Sequence, residues 1–269
     1  MKPEKSGFWL AVIALGVVPW MCARVVSRFG QQLFGPQRSR AVPWGAPEGF
    51  LLLVACAAQF TCALWQLQSG SSDEHPPLLL VIAAQLSLLI DLSLPIMLLV
   101  TRGAQLYQMG LHCSHFGRNV LVGLGACVLA FLPVMILFQA SSTVFEPRRH
   151  PLEVFVRSSP TLEHILLSTL FAVVLAPFLE ELLFRGILLL WLRRLFGPWP
   201  AILLSSAVFA VLHVDAWPAP IPLFVLALFL GYLTYRTSSL VAPIVLHATF
   251  NGVSMLVLVL QVFWPVGTF

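Results

Sequence analysis

Apolar residues run along this chain in blocks of about twenty, separated by short polar connectors, and this pattern predicts a succession of helices rather than strands. The blocks fall at 8–27, 49–67, 77–100, 119–140, 164–185, 199–214, 220–235 and 239–263, each close to the ~20 residues needed to cross the hydrocarbon core of a bilayer. The sixth and seventh are short, so one of them is expected to be re-entrant or broken. The first block has no clear small-x-small cleavage site and is read as a retained helix rather than a signal peptide.

The connectors divide the chain. Residues 28–48, 69–76 and 141–163 are polar and rich in turn-forming residues, and the last of these separates a four-span N-terminal half from the rest. Gly197-Pro198-Trp199-Pro200 is expected to end the fifth block, because proline cannot continue a helix without losing a backbone bond. From His164 to Phe196 is 33 residues, roughly 50 Å as a straight helix against a core of ~30 Å. That segment must therefore tilt, kink at Pro177 or break. A kink there would free carbonyls that something else has to satisfy.

Composition settles the medium. Of 269 residues, 59% are apolar and 10% charged, with a mean hydropathy of +0.91, whereas a soluble domain carries about 25% charged residues. The chain is expected to be an all-α, polytopic transmembrane bundle of about eight spans. If all eight cross, Arg24, Arg28, Arg38, Arg40, Arg102, Arg118, Arg185, Arg193, Arg194 and Arg236 fall on one side, and Lys2, Lys5, Arg148, Arg149 and Arg157 on the other. The bias of basic residues toward cytoplasmic loops then places both termini outside the cytoplasm. The same arginines set the pI near 9.0. No basic stripe with interleaved aromatics points to nucleic acid. Cys22, Cys56, Cys62, Cys113 and Cys127 form no C-x-x-C pair and read as packing residues.

A few polar side chains interrupt the apolar pattern in the last third. Burying one carboxylate at membrane depth costs at least ~2.5 kcal/mol on insertion scales, so the adjacent pair Glu180-Glu181 needs partners. Glu181 and Arg185 are four apart and share a helix face, while Glu180 points about 100° away. One glutamate can thus be held by the arginine while its neighbour, lacking a counter-charge in a low-dielectric setting, becomes a candidate general base. Taken alone, the motif reads equally as a structural ion pair. His213 follows Phe209 by one helical turn, and alone it reads as an interfacial histidine. His247 and Asn251 also lie one turn apart on one face. Both can donate to an oxyanion, and both fit an interhelical hydrogen-bonded pair. Together these residues supply a base, an orienting group and oxyanion donors, the parts needed to split an amide with an activated water. Ser205-Ser206 and the remaining serines carry no nucleophile-elbow signature.

Glu180-Glu181-x-x-x-Arg185, Phe209-x-x-x-His213 and His247-x-x-x-Asn251, in that order, resemble the three motifs of the CPBP family, which includes CAAX prenyl endopeptidases and bacterial Abi proteins. The resemblance covers roughly 105–262, with Gly110-Leu111 and Arg236-Thr-Ser-Ser-Leu-Val-Ala-Pro243 similar to the family's approaches to its helices. It implies a membrane domain over 105–269, with the helices of 1–104 outside the match. It implies an intramembrane endopeptidase in which Glu180, helped by His213, activates the water. Glu181 and Arg185 would then brace the site, and His247 and Asn251 would hold the oxyanion. It further implies a peptide or protein substrate at the membrane, and residence in a bilayer, expected to be a bacterial cytoplasmic membrane. The family has also been classed with metalloproteases. H-E-x-x-H, which sets two zinc ligands on one helical turn, is absent here, so a glutamic mechanism without a cofactor is expected, with zinc as the alternative.

Outside the motifs, Asp91 is expected to make a helix–helix hydrogen bond or to pair with an arginine of the second half. His112, Cys113 and His115 are expected to form an ordinary loop, and Gln59 and Gln85 interhelical contacts.

Overall fold

The computed structural model describes residues 42–68 and 93–264, and those residues form helices and turns without any strand. In chain order the helices are α1 (Ala46–Gln68), α2 (93–101), α3 (Phe116–Val144), α4 (Pro151–Ser158), α5 (Leu162–Phe196), α6 (Pro198–Val211), α7 (Pro220–Thr237) and α8 (Val241–Phe263). The starts follow local chemistry. Thr161 Oγ1 accepts from the His164 N–H at the head of α5, filling one of the donors a helix leaves open. Prolines occupy the first positions of α4, α6 and α7, where a missing N–H costs nothing. Gly197, at φ +78°, ends α5 where the Gly-Pro pair predicts a stop.

Five of these helices, α1, α3, α5, α7 and α8, are long and apolar enough to cross a membrane. The expected count of eight is not reproduced among the described residues. The first block, 8–27, and most of the third, with Asp91 and Gln85, lie outside them. The sixth is short, as its sequence leads one to expect. Its 14 residues rise about 21 Å, well below the ~30 Å of a hydrocarbon core, and half-buried His213 follows its end. The charge map is corrected as well. Arg185 is not a loop residue but sits in the core, 1% exposed.

Two packed regions hold the bundle. One gathers Trp44, Leu98, Met109, Ile187, Leu188, Phe209 and Leu240 where α1, α2, α5 and α6 meet. The other gathers Cys127, Ala130, Val134, Leu226, Leu230, Leu246 and Phe250 between α3, α7 and α8. Close approach of α3 and α8 depends on Gly123, where an added Cβ would sit 2.6 Å from the Ala242 carbonyl oxygen. Small residues permit such contacts between membrane helices. The first half of α5 turns Leu166, Leu167, Leu170, Phe171, Val174, Leu175 and Phe178 outward, an apolar surface that lipid tails cover and water would not tolerate. Cys56 and Cys127 are buried and Cys62 and Cys113 exposed, and His112 Nε2 lies 3.0 Å from the Ser238 carbonyl, tying its loop to the α7–α8 turn.

Candidate active site

The long helix α5 does not run as a regular α-helix. Leu162–Leu170, Ala176–Glu181 and Leu189–Phe196 are α-helical, whereas Phe171–Leu175 and Leu182–Leu188 are π-helical. The two wide turns flank Glu180 and Glu181. Such turns insert an extra residue and redirect the side chains that follow, and they recur at functional sites. Pro177 lies at the junction, as the expected kink would require.

Glu181 is fully buried, and its Oε1 meets two partners. Arg185 Nη1 donates to it over 3.0 Å, and His247 Nδ1 lies 3.0 Å away. Arg185 is fixed on every side. Its Nη2 donates to the Ala227 carbonyl on α7, and its guanidinium lies 4.6 Å from the centre of the Phe209 ring on α6, a cation–π contact. One ion pair therefore joins four helices. Glu180 points elsewhere, as the 100° helical step requires. It is about a quarter exposed, and its Oε2 lies 3.7 Å from His247 Nε2.

His213 caps the end of α6, with Nδ1 2.8 Å from the Phe209 carbonyl. A carbonyl only accepts, so Nδ1 carries the proton and Nε2 of the neutral ring offers its lone pair. Phe209 lies between the two histidines, its ring 4.8 Å from that of His213 and 5.8 Å from that of His247. Asn251, one turn past His247, donates from Nδ2 to the Ala172 carbonyl over 2.9 Å. Glu180, Glu181, Arg185 and His247 thus meet directly, His213 adjoins them through Phe209, and Asn251 is held by the first π turn. Ser205, read as no nucleophile, is buried and donates to the Phe184 carbonyl.

All six polar residues singled out in the sequence lie within one matched segment. Residues 162–253 match the family described as type II CAAX prenyl endopeptidase Rce1-like. The match is narrower than the resemblance expected over roughly 105–262, and it leaves α1 to α4 outside. No curated protein and no solved structure matches the chain. The Rce1-like match supports a membrane endopeptidase in general, acting on a membrane-associated substrate, and it places a CAAX-protease-like region in the C-terminal half.

One neighbour of the Rce1-like segment escaped the sequence reading. His150, at the head of α4, lies within electrostatic reach of His213, Glu180, Asp215 and Glu153. The chain is brought there by the Arg148 N–H, which donates to the Trp217 carbonyl over 2.7 Å, and by the edge-on packing of Phe145 against Trp217. Dense protein around the ring holds the His150 pKa below the usual histidine value, with His213 adding to this and Asp215, Glu180 and Glu153 opposing it. The side chain keeps access to solvent, which weakens that depression. No apolar periodicity marks His150, which sits in a polar connector, so pattern alone gave no signal.

Of the Glu181 carboxylate oxygens, Oε2 is buried without a hydrogen-bond partner. Glu181 Oε1 is already committed to Arg185 and His247, and among the described residues no three carboxylate, imidazole or thiol groups converge as zinc requires.

Proposed function

We propose that this chain is an intramembrane endopeptidase that hydrolyses a peptide bond with a water activated by Glu180 and His213. The observation that carries this reading is the division of labour between adjacent carboxylates. Glu181 is sealed between Arg185 and His247, while Glu180 is left partly accessible beside the His247 ring.

In this reading the lone pair of His213 Nε2 orients the water and Glu180 takes its proton. The resulting hydroxide adds to the peptide carbonyl carbon, and charge develops on the carbonyl oxygen. His247 already donates from Nδ1 to Glu181, so it can donate from Nε2 as well only as the imidazolium. Asn251 keeps a second N–H on Nδ2 for the same oxyanion. When the intermediate collapses, the C–N bond breaks and protonated Glu180 returns its proton to the leaving nitrogen. Preorganised donors of this kind are worth roughly 10²–10³ each in rate, and a positioned base adds roughly 10²–10⁴.

The apolar setting and the Rce1-like match over 162–253 support a lipid-modified peptide as the substrate class. A prenylated C-terminal peptide has a lipid tail that partitions into the bilayer and a peptide bond that can lie at the depth of Glu180. The test uses an internally quenched, farnesylated CAAX peptide with the full chain reconstituted in vesicles. Wild type should cleave it, and Glu180→Gln should lose about two orders of magnitude or more in rate while keeping its melting temperature. Undiminished cleavage by Glu180→Gln removes it as the base. No cleavage by a folded wild type, of this or of an unprenylated peptide, leaves a non-catalytic peptide-binding or ion-coupled membrane protein as the alternative.

A further inference from the structure

Asn251 and Pro177 meet at one backbone carbonyl. In the first π turn the Ala176 N–H donates to the Phe171 carbonyl, five residues back. That commits the donor which an α-helical register would assign to Ala172. The π register would instead assign the N–H of residue 177, and residue 177 is proline, which has none. The Ala172 carbonyl is thus deprived of both intrahelical donors at membrane depth, where water does not replace them. Asn251 Nδ2 fills the position at 2.9 Å, from α8.

The consequence reaches the candidate oxyanion donors. His247 and Asn251 stand one turn apart on α8, and α5 holds each of them. The Glu181 carboxylate holds the imidazole, and the Ala172 carbonyl holds the amide. With one Nδ2 hydrogen on Ala172, the plane of the Asn251 amide and the direction of its second N–H are set. We infer that the Ala172 carbonyl, freed by Pro177 within the π turn, is a positioning group that aims Asn251. Pro177 acts here by the absence of a donor. This inference rests on the proteolytic reading only for what Asn251 is aimed at; the hydrogen bond and its dependence on Pro177 stand apart from it.

Pro177→Ala restores an N–H that can reach Ala172 and release Asn251. A four-variant cycle of wild type, Pro177→Ala, Asn251→Ala and the double substitution, each as the full chain in detergent, reads the coupling by melting temperature. Asn251→Ala should lower the melting temperature of wild type, and lower it by less than half as much once Pro177 is alanine. Additive losses would overturn the link, whether or not any peptide is cleaved. Pro177→Gly supplies the same N–H and repeats the cycle if alanine fails to fold.

The positioning role is read with the farnesylated CAAX peptide. Pro177→Ala should lower kcat about tenfold with KM little changed, and should add nothing to the loss caused by Asn251→Ala. A coupled melting cycle with unchanged kcat would reduce the bond to a structural one and overturn the positioning role. A folded wild type that cleaves nothing would sink the protease reading while the melting cycle still decides the inference.

Discussion

Arg185 Nη1 donates to Glu181 Oε1 across 3.0 Å, and neither side chain reaches the surface. Each partner makes burial of the other tolerable, because a lone charge in this core would have neither water nor a counter-ion. Removing one is therefore far costlier than the pair's net worth suggests. Arg185→Ala should destabilise the protein by about 3–5 kcal/mol, read as urea or thermal unfolding in detergent. Arg185→Lys should rescue little, because an ammonium replaces neither the fork that reaches both Glu181 and Ala227 nor the stacking on Phe209. An Arg185→Ala protein as stable as wild type would show that this pair does not organise the core.

Two glycines on α3 make a paired test of helix packing. A Cβ at Gly123 would lie 2.6 Å from the Ala242 carbonyl and 2.9 Å from the Val245 Cβ, whereas one at Gly125 meets nothing within 4 Å. Gly123→Ala should cost about 1–3 kcal/mol through overpacking. Gly125→Ala should be neutral, or stabilising by roughly 0.5–1 kcal/mol from helix propensity. Equal melting temperatures for the two variants would contradict the close contact of α3 with α8.

Much of this was legible in the sequence because membrane burial makes polar residues conspicuous. Glu180, Glu181 and Arg185 stand out in an apolar run, and helical spacing alone gives the Glu181–Arg185 pair and the divergence of Glu180. A carbonyl near Pro177 satisfied from outside the helix also follows from proline's missing N–H. The π turns did not show, because a change from i−4 to i−5 bonding leaves no mark in side-chain periodicity over five to seven residues. The contact of His247 with Glu181 joins positions 66 apart, and no local rule reports it. Arg185 was misassigned to a loop because loop charges were counted before the end of α5 was located. His150 was missed for the opposite reason: in a polar connector a histidine is unremarkable until the fold brings it beside Glu180.

Metal dependence separates two forms of the proposed chemistry. With Glu181 Oε1 engaged by Arg185 and His247, cleavage of the farnesylated peptide should be undiminished after prolonged treatment with a strong chelator and removal of the chelate. Activity that disappears and returns on adding zinc would show that Glu180 and a histidine act as ligands instead. The same preparation, assayed for bound zinc by elemental analysis, gives an answer independent of turnover.

The Leu152 N–H bond to His150 Nδ1 sets the sign expected for a pH dependence of stability. His150 Nδ1 accepts the Leu152 N–H over 3.2 Å at the head of α4, which requires an unprotonated Nδ1. Its surroundings also depress its pKa below 6.5, with crowding by protein as the main cause, His213 acting the same way, and Asp215, Glu180 and Glu153 in opposition. As pH falls through the ordinary histidine range, the unfolded chain binds this proton before the folded one does. Stability therefore declines with acidification from about pH 7 until the folded protein is protonated too. His150→Asn keeps an N-cap acceptor but cannot titrate, so the slope of melting temperature against pH between about 5 and 7 should flatten relative to wild type. A slope unchanged by the substitution would assign the acid sensitivity to other groups. A wild type that grows more stable toward acid would reverse the sign derived from the neutral ring.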